Sequence, residues 1–361
     1  MKRGTYITLP KVRIRPLPKG LRLGDRIEAR PRNEDELFYP GIIVGRDYQH
    51  GCTKSEATFT VMYDDGDVES ELKASSIIRF GRCIVWQGNS VIVEDGTILV
   101  NGVFRRVRLL HFKSSPGIYQ SGLLMSSWSI HVPDFTLLPF EVNQAMLLGV
   151  GLYSYANNGR MPLKTCFAGL GGGAVPACLA GYISPGCTVH AIEISEEVSS
   201  ASKKYFCLPG NVRIINCDAY EWLTTNESEY DLVIIDVTDA GDQFLPPEPF
   251  LDVSIIQRAL KKPGSVCVMN VLSSLSTPAH VRKATRIFSE CSKSSYCAHV
   301  DPNHVFFGIS NEKEDLCQLD PNGLRKVIES IPLLANAVPG MLRELETRPD
   351  QIWKQVLQMN V

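Results

Sequence analysis

Midway along the chain the apolar run "KTCFAGL" opens directly into a glycine cluster, Gly169, Gly171, Gly172 and Gly173. A strand ending in such a cluster is committed to a tight turn, because glycine tolerates left-handed backbone angles and lets N–H groups approach a ligand closely. The segment "GLGGGA" fits G-x-G-x-x-A at Gly169, Gly171 and Ala174, with Leu170 inside the turn. A second β-prone run, "TVHAIEIS", then carries Glu193 near its end. Strand, glycine turn, helix, strand and terminal acid together are the sequence form of a nucleotide-cofactor site, in which the acid accepts the ribose hydroxyls.

Two later acids narrow the cofactor. Asp218 in "INCDAYEWL" is followed by the small Ala219, an arrangement suited to accepting from an adenine amine. Asp236 in "YDLVIIDVTDAGD" ends the next buried strand, beside the crevice where open α/β sheets bind ligands. Asp236 and Asp239 there would set carboxylates near a cationic sulfonium or an amine, whereas Asp242 equally suits a loop or helix cap. The set points to S-adenosylmethionine rather than to a dinucleotide, in which the "CDA" element has no role.

The remaining composition sets bounds. The chain has 361 residues, 44% hydrophobic and 21% charged, with a net charge of −2; that is ordinary for a globular protein and gives no global drive toward nucleic acid or an anionic membrane. Residues 1–22 form a basic arm with Lys2, Arg3, Lys11, Arg13, Arg15, Lys19 and Arg22 and no acid. A solvated tail, a nuclear signal and an RNA contact all remain open for it. No apolar run reaches the roughly 18 residues that span a membrane. The eleven cysteines make no CxxC pair and no zinc-ligand cluster, and several, including Cys166, Cys178, Cys217 and Cys267, sit in apolar or helical runs as small hydrophobes. No metal is expected, and a reducing compartment, cytoplasm or nucleus, is.

Five segments follow from periodicity. After the arm, residues 23–82 read as short strands with a turn at Asp65-Gly66; a small closed barrel suits them. Residues 83–134 read as β-hairpins turning at Asp95-Gly96 and at Asn101-Gly102. Residues 135–312 alternate strands with helices, the pattern of a mostly parallel sheet covered on both faces. Residues 313–361 read as an α-helical tail.

From Cys83 to Leu272 the chain resembles the spermidine-synthase-like branch of class I methyltransferases, through "IYQSGLL", "GLGGGAVP", "HAIEIS", "CDAYEWL", "YDLVIIDV" and "MNVL". The resemblance implies a Rossmann-like, seven-stranded α/β fold. It also implies that Gly169 to Gly173, Glu193, Asp218 and Ala219 hold S-adenosylmethionine, that Gln120 reaches the site from the hairpins, and that Asp236 faces the reacting centre. The aminopropyltransferases of this branch carry "GGGDGG", whose acid binds the cofactor's amine; Gly172 stands at that position here. Their "DSSDP" reads "DVTDAG" in this chain. Methyl transfer from the intact cofactor is therefore favoured over aminopropyl transfer, because the missing acid also removes repulsion against the cofactor's carboxylate. His111 and His131 flank the region as structural residues.

Residues 23–80 resemble a Tudor-type, SH3-like barrel. Tyr39 and Tyr63 match two cage positions for a methylated cation, with Asp65 a charge partner and Tyr48 a further aromatic; as core aromatics they need no ligand. The expected protein is a methyltransferase acting on a protein amine, a lysine or an N-terminus, with the barrel docking a substrate, a partner or a methylated peptide, and with homodimerisation open. Two rivals stand beside it: a polyamine-forming aminopropyltransferase and a non-catalytic Tudor-type scaffold.

Overall fold

The computed structural model describes residues 26–29, 31–32, 39–47, 58–63, 66–73, 76–79, 83–100, 103–115, 119–126, 132–238, 246–272, 278–310 and 319–356; Tyr48, Asp65, His131, Asp239 and Asp242 lie outside them. The chain divides into two compact units that part between Gly81 and Arg82.

The first unit is one antiparallel sheet of β1 (Arg26–Ala29), β2 (Tyr39–Asp47), β3 (Thr58–Tyr63), β4 (Val68–Lys73) and β5 (Ile77–Arg79), in the order β4-β3-β2-β1-β5. Period-2 alternation builds its core. β3 buries Phe59, Val61 and Tyr63 and turns the intervening residues outward, and Ile27, Ala29, Ile43, Leu72 and Ile77 complete the cluster. Gly66 sits in the expected turn, at φ +93°, and its N–H donates to the Tyr63 carbonyl at 3.0 Å.

The second unit begins with an antiparallel sheet of β6 (Cys83–Gln87), β7 (Val91–Val100), β8 (Val103–Phe112) and β9 (Tyr119–Leu124). Of the two turns read from the sequence, Asn101-Gly102 lies outside the described residues. Asp95-Gly96 lies inside β7, which pairs with β8 along its whole length. The Asp95 carboxylate is taken up by Arg108 of β8 at 2.8 Å, and Gly96 stands opposite Val107. Continuous cross-strand pairing outweighs a local turn preference.

After α1 (Glu141–Ala156) come β10 (Lys164–Ala168), α2 (Ala174–Cys178), β11 (Thr188–Ile192), α3 (Glu196–Tyr205), β12 (Val212–Ile215), α4 (Ala219–Thr225), β13 (Leu232–Ile235), α5 (Val253–Ala259), β14 (Val266–Leu272), α6 (Pro278–Cys291), β15 (Ser294–Val300) and β16 (Asn303–Ile309). Side-chain caps start three of these helices: Ser195 for α3, Asp218 for α4 and Asp252 for α5. β10 to β14 pair in parallel and β16 and β15 close the sheet antiparallel, as strand–helix alternation followed by a closing pair predicts.

α1 is buried nearly all round because two layers cover it. Gly149 abuts Val268 of the sheet, and Gly151 abuts Ile328 and Leu334 of the C-terminal segment. That segment comprises α7 (Pro321–Glu329), α8 (Pro332–Ala337), α9 (Pro339–Thr347), α10 (Pro349–Ile352) and β17 (Trp353–Gln355). The expected helical tail thus ends in a strand, which joins β15 as an eighth member of the sheet. Trp353 stacks on Tyr296 at 5.0 Å, and its indole N–H donates to the Leu319 carbonyl at 3.3 Å. Burial of one aromatic anchor overrides the local helical pattern. Among the described residues no helix is long and apolar enough to cross a membrane.

Candidate cofactor and substrate site

Strand order reverses at β10: β11 and β12 lie to one side, β13 and β14 to the other. Ligands bind such sheets at the carboxyl ends of the strands beside the reversal. The glycine turn sits there. Gly169 (φ +89°) must be glycine on two counts, its left-handed backbone and the Asp236 carbonyl, which would lie 2.2 Å from a Cβ. Gly171 and Gly173 are also left-handed, and Gly173 caps the N-terminus of α2. Gly172 has an ordinary φ but no room. A Cβ there would meet the Phe206 ring at 2.7 Å and Ser121 at 2.9 Å, and Phe206 is fully buried.

Glu193 follows the end of β11 and closes over this turn. Its Oε2 accepts from the Leu170 N–H at 3.2 Å and its Oε1 from the Ser195 N–H at 2.8 Å. Burial pushes its carboxyl above the usual value, against the pull of these backbone donors. Beside it Ile194 is 70% exposed, an apolar face at a polar edge. Asp218 stands beyond β12 and caps α4 through Oδ1, which accepts from Tyr220 at 2.6 Å and Glu221 at 3.1 Å. Ala219 is buried beneath it.

Asp236 is half-buried at the end of β13, and its Oδ1 accepts from the Asn270 side chain at 2.9 Å. Burial raises its carboxyl above the ordinary range, with the single Asn270 donor opposing. Asn270 Oδ1 is sealed from solvent without a partner among the described residues.

A cavity opens between these elements, with about 280 Å³ of empty space including its mouth. Ser121 of β9, Asn143 and Met146 of α1, Phe167, Gly169, Leu170, Val175 and Asp236 are among its lining residues. The fold therefore gathers Gly169 to Gly173, Leu170, Glu193, Asp218, Ala219 and Asp236 on one edge, as the sequence predicts. The Gln120 carbonyl lies 3.5 Å from where a side chain on Gly171 would begin, and its neighbour Ser121 lines the cavity. Asn143 carries no local motif, since only the packing of α1 against the sheet brings it here.

Other candidates lie elsewhere. His111 is buried in the hairpin sheet, 3.8 Å from Glu94 and edge-on to Tyr119. Tyr63 is buried in the first unit, with its hydroxyl on Glu69 at 3.2 Å, and Tyr39 packs edge-on to it at 6.3 Å. No group of His, Cys, Asp and Glu suited to a metal occurs among the described residues.

No family model matches the chain. Over 144 residues it is 26% identical to the eEF1A lysine and N-terminal methyltransferase of Danio rerio, a match covering 37% of this chain and 20% of that protein. The chain thus spans about a fifth of that relative's length, at 20%. Among solved structures, a probable spermidine synthase from Corynebacterium glutamicum aligns with a TM-score of 0.51 and 16% identity, covering 78% of this chain and 98% of that one. Human methyltransferase-like protein 13, in complex with SAH, aligns with a TM-score of 0.44 and 18% identity, covering 56% of this chain and 93% of that one. The glycine turn at the strand-order reversal, the strand order itself and the preceding hairpin sheet agree: this chain has the spermidine-synthase-like form of the class I methyltransferase fold.

Proposed function

We propose that the chain is an S-adenosylmethionine-dependent methyltransferase acting on a protein amine, a lysine or an N-terminus. The observation that carries this reading is the carboxyl edge of β10, β11 and β13, where the start of the glycine turn and a half-buried Asp236 line one cavity and Glu193 accepts from the Leu170 N–H of the same turn. The residues suit the cofactor. Glu193 would accept from the ribose hydroxyls, Ile194 would offer an apolar face for the base, and Asp218 keeps Oδ2 clear of the helix cap. The bound cofactor would supply a methyl group on a cationic sulfur. The chain's own part is then to align an amine, exclude water and take up a proton. Asp236, raised by burial, is a better proton acceptor than an ordinary carboxylate, and Asn270 holds its orientation. Support for a protein amine comes from the curated relative, whose name gives a lysine and an N-terminus as its targets.

Aminopropyl transfer is the second reading, favoured by the aligned spermidine synthase. Position 172 speaks against it: the buried Phe206 ring and Ser121 leave no space for the acid that holds an aminopropyl donor. In this proposal the first unit is a Tudor-like module that docks substrate or partner, in the cytoplasm or nucleus; the expected cage is not carried forward, because Tyr63 is buried in the unit's core and Tyr39 packs against it.

Calorimetry with S-adenosylmethionine, its decarboxylated form and NAD tests the cofactor assignment. The intact cofactor is expected to bind, and Glu193→Ala to weaken it by about 100-fold through loss of charge-assisted hydrogen bonds. Preference for the decarboxylated form would restore the aminopropyltransferase, and absence of any nucleotide binding would leave a scaffold.

A further inference from the structure

We propose that Asn143 determines specificity at the cavity, its carboxamide oxygen pairing with the Asp236 carboxylate to accept two N–H groups of a primary amine. This rests on the amine-methyltransferase reading and adds a residue to it. Asn143 stands in the first turn of α1, is 7% exposed and lines the cavity that Asp236 also lines. Its side chain makes no hydrogen bond to any described residue. Buried carboxamides are normally hydrogen-bonded within the protein, so one that opens on a cavity without a partner is a group available to an occupant. Asn270 differs: its Nδ2 is spent on Asp236 and its Oδ1 is sealed from solvent, so it orients Asp236 and does not reach the occupant.

The chemistry of the wall selects the occupant. One carboxylate, one amide and one hydroxyl (Ser121) face Met146, Phe167, Leu170 and Val175, with no cation among them. An anion is repelled by Asp236, and an apolar group would strand desolvated acceptors. An amine on an alkyl stem fits both halves. Acceptors on the α1 wall and on the β13 wall fix its nitrogen from two sides. Each methyl added to that nitrogen removes one donor and turns carbon toward an acceptor. Asn143 thereby grades amines by their methylation state, primary above secondary above tertiary.

The test uses the full chain saturated with S-adenosylhomocysteine, titrated with propylamine, N-methylpropylamine and N,N-dimethylpropylamine and followed by ligand-observed NMR. Wild type is expected to bind in that descending order. Asn143→Ala should lose about tenfold for propylamine and bind the three amines almost equally, while Asn143→Asp, which keeps an acceptor, preserves the order. Both variants should hold S-adenosylhomocysteine as wild type does, which also shows that they fold. The same steep order in Asn143→Ala overturns the inference, as does a loss of S-adenosylhomocysteine affinity in place of amine affinity. Failure of wild type to bind S-adenosylhomocysteine sinks the methyltransferase reading itself. Cofactor binding without amine discrimination sinks only the role of Asn143.

Discussion

Two aspartates bracket the four residues of β13, and the fold treats them oppositely. Asp231, at the amino end, is 2% exposed and accepts from the Tyr153 hydroxyl at 3.0 Å, the Leu163 and Lys164 N–H groups at 2.9 Å each and the Lys262 ammonium at 2.5 Å. Burial alone would raise its carboxyl; Lys262 and the backbone donors overcome that and hold it below the ordinary value. Asp236, at the carboxyl end, has one donor, and burial wins. A satisfied buried carboxylate belongs to the scaffold, whereas an under-satisfied one facing a cavity is a candidate site.

The largest expected effect separates the two at once. Asp231→Ala should cost about 3 kcal/mol in denaturant unfolding, because it leaves the buried Tyr153 hydroxyl, the Lys262 ammonium and two backbone N–H groups without their acceptor, while cofactor affinity of the folded fraction stays as in wild type. Unchanged stability with lost cofactor binding would erase the contrast. Asp236→Asn should do the reverse. Turnover should fall by about 100-fold with cofactor affinity retained, while stability near neutral pH rises by about 1 kcal/mol once a desolvated charge is removed. A loss of stability there would show Asp236 to be structural.

The smallest effect is in pH dependence. Asp231 titrates below its ordinary 3.8 in the folded protein, so its stabilisation is complete above that value and is lost as pH falls through the folded one. Asp236 titrates above 3.8 when folded, so its cost is absent in acid and sets in as pH rises from 3.8 to its folded value. Wild type should therefore be more stable than Asp231→Asn and less stable than Asp236→Asn at neutral pH, with both gaps closing toward acid. Two gaps of one sign would refute the comparison.

Most of the architecture was legible because its signals are local. The run into Gly169 and the alternation of buried strands with helices each act within a few residues. The misread turn at Asp95-Gly96 and the unforeseen strand β17 share a cause. Arg108 claims Asp95 and Tyr296 stacks on Trp353, and neither partner is near in sequence.

The site divides along the same line. By itself the sequence determined the strand, the glycine turn and the acid that ends the next strand, because glycine backbone freedom and a strand-end acid are properties of short segments. Only the tertiary structure decided what else faces that edge of the sheet. It set Phe206 and Ser121 against Gly172 and left Asn143 unpartnered at the cavity. It also placed satisfied Asp231 and under-satisfied Asp236 at opposite ends of one strand. Burial and hydrogen-bond supply, which set a carboxylate's charge and role, come from packing between elements far apart in the chain.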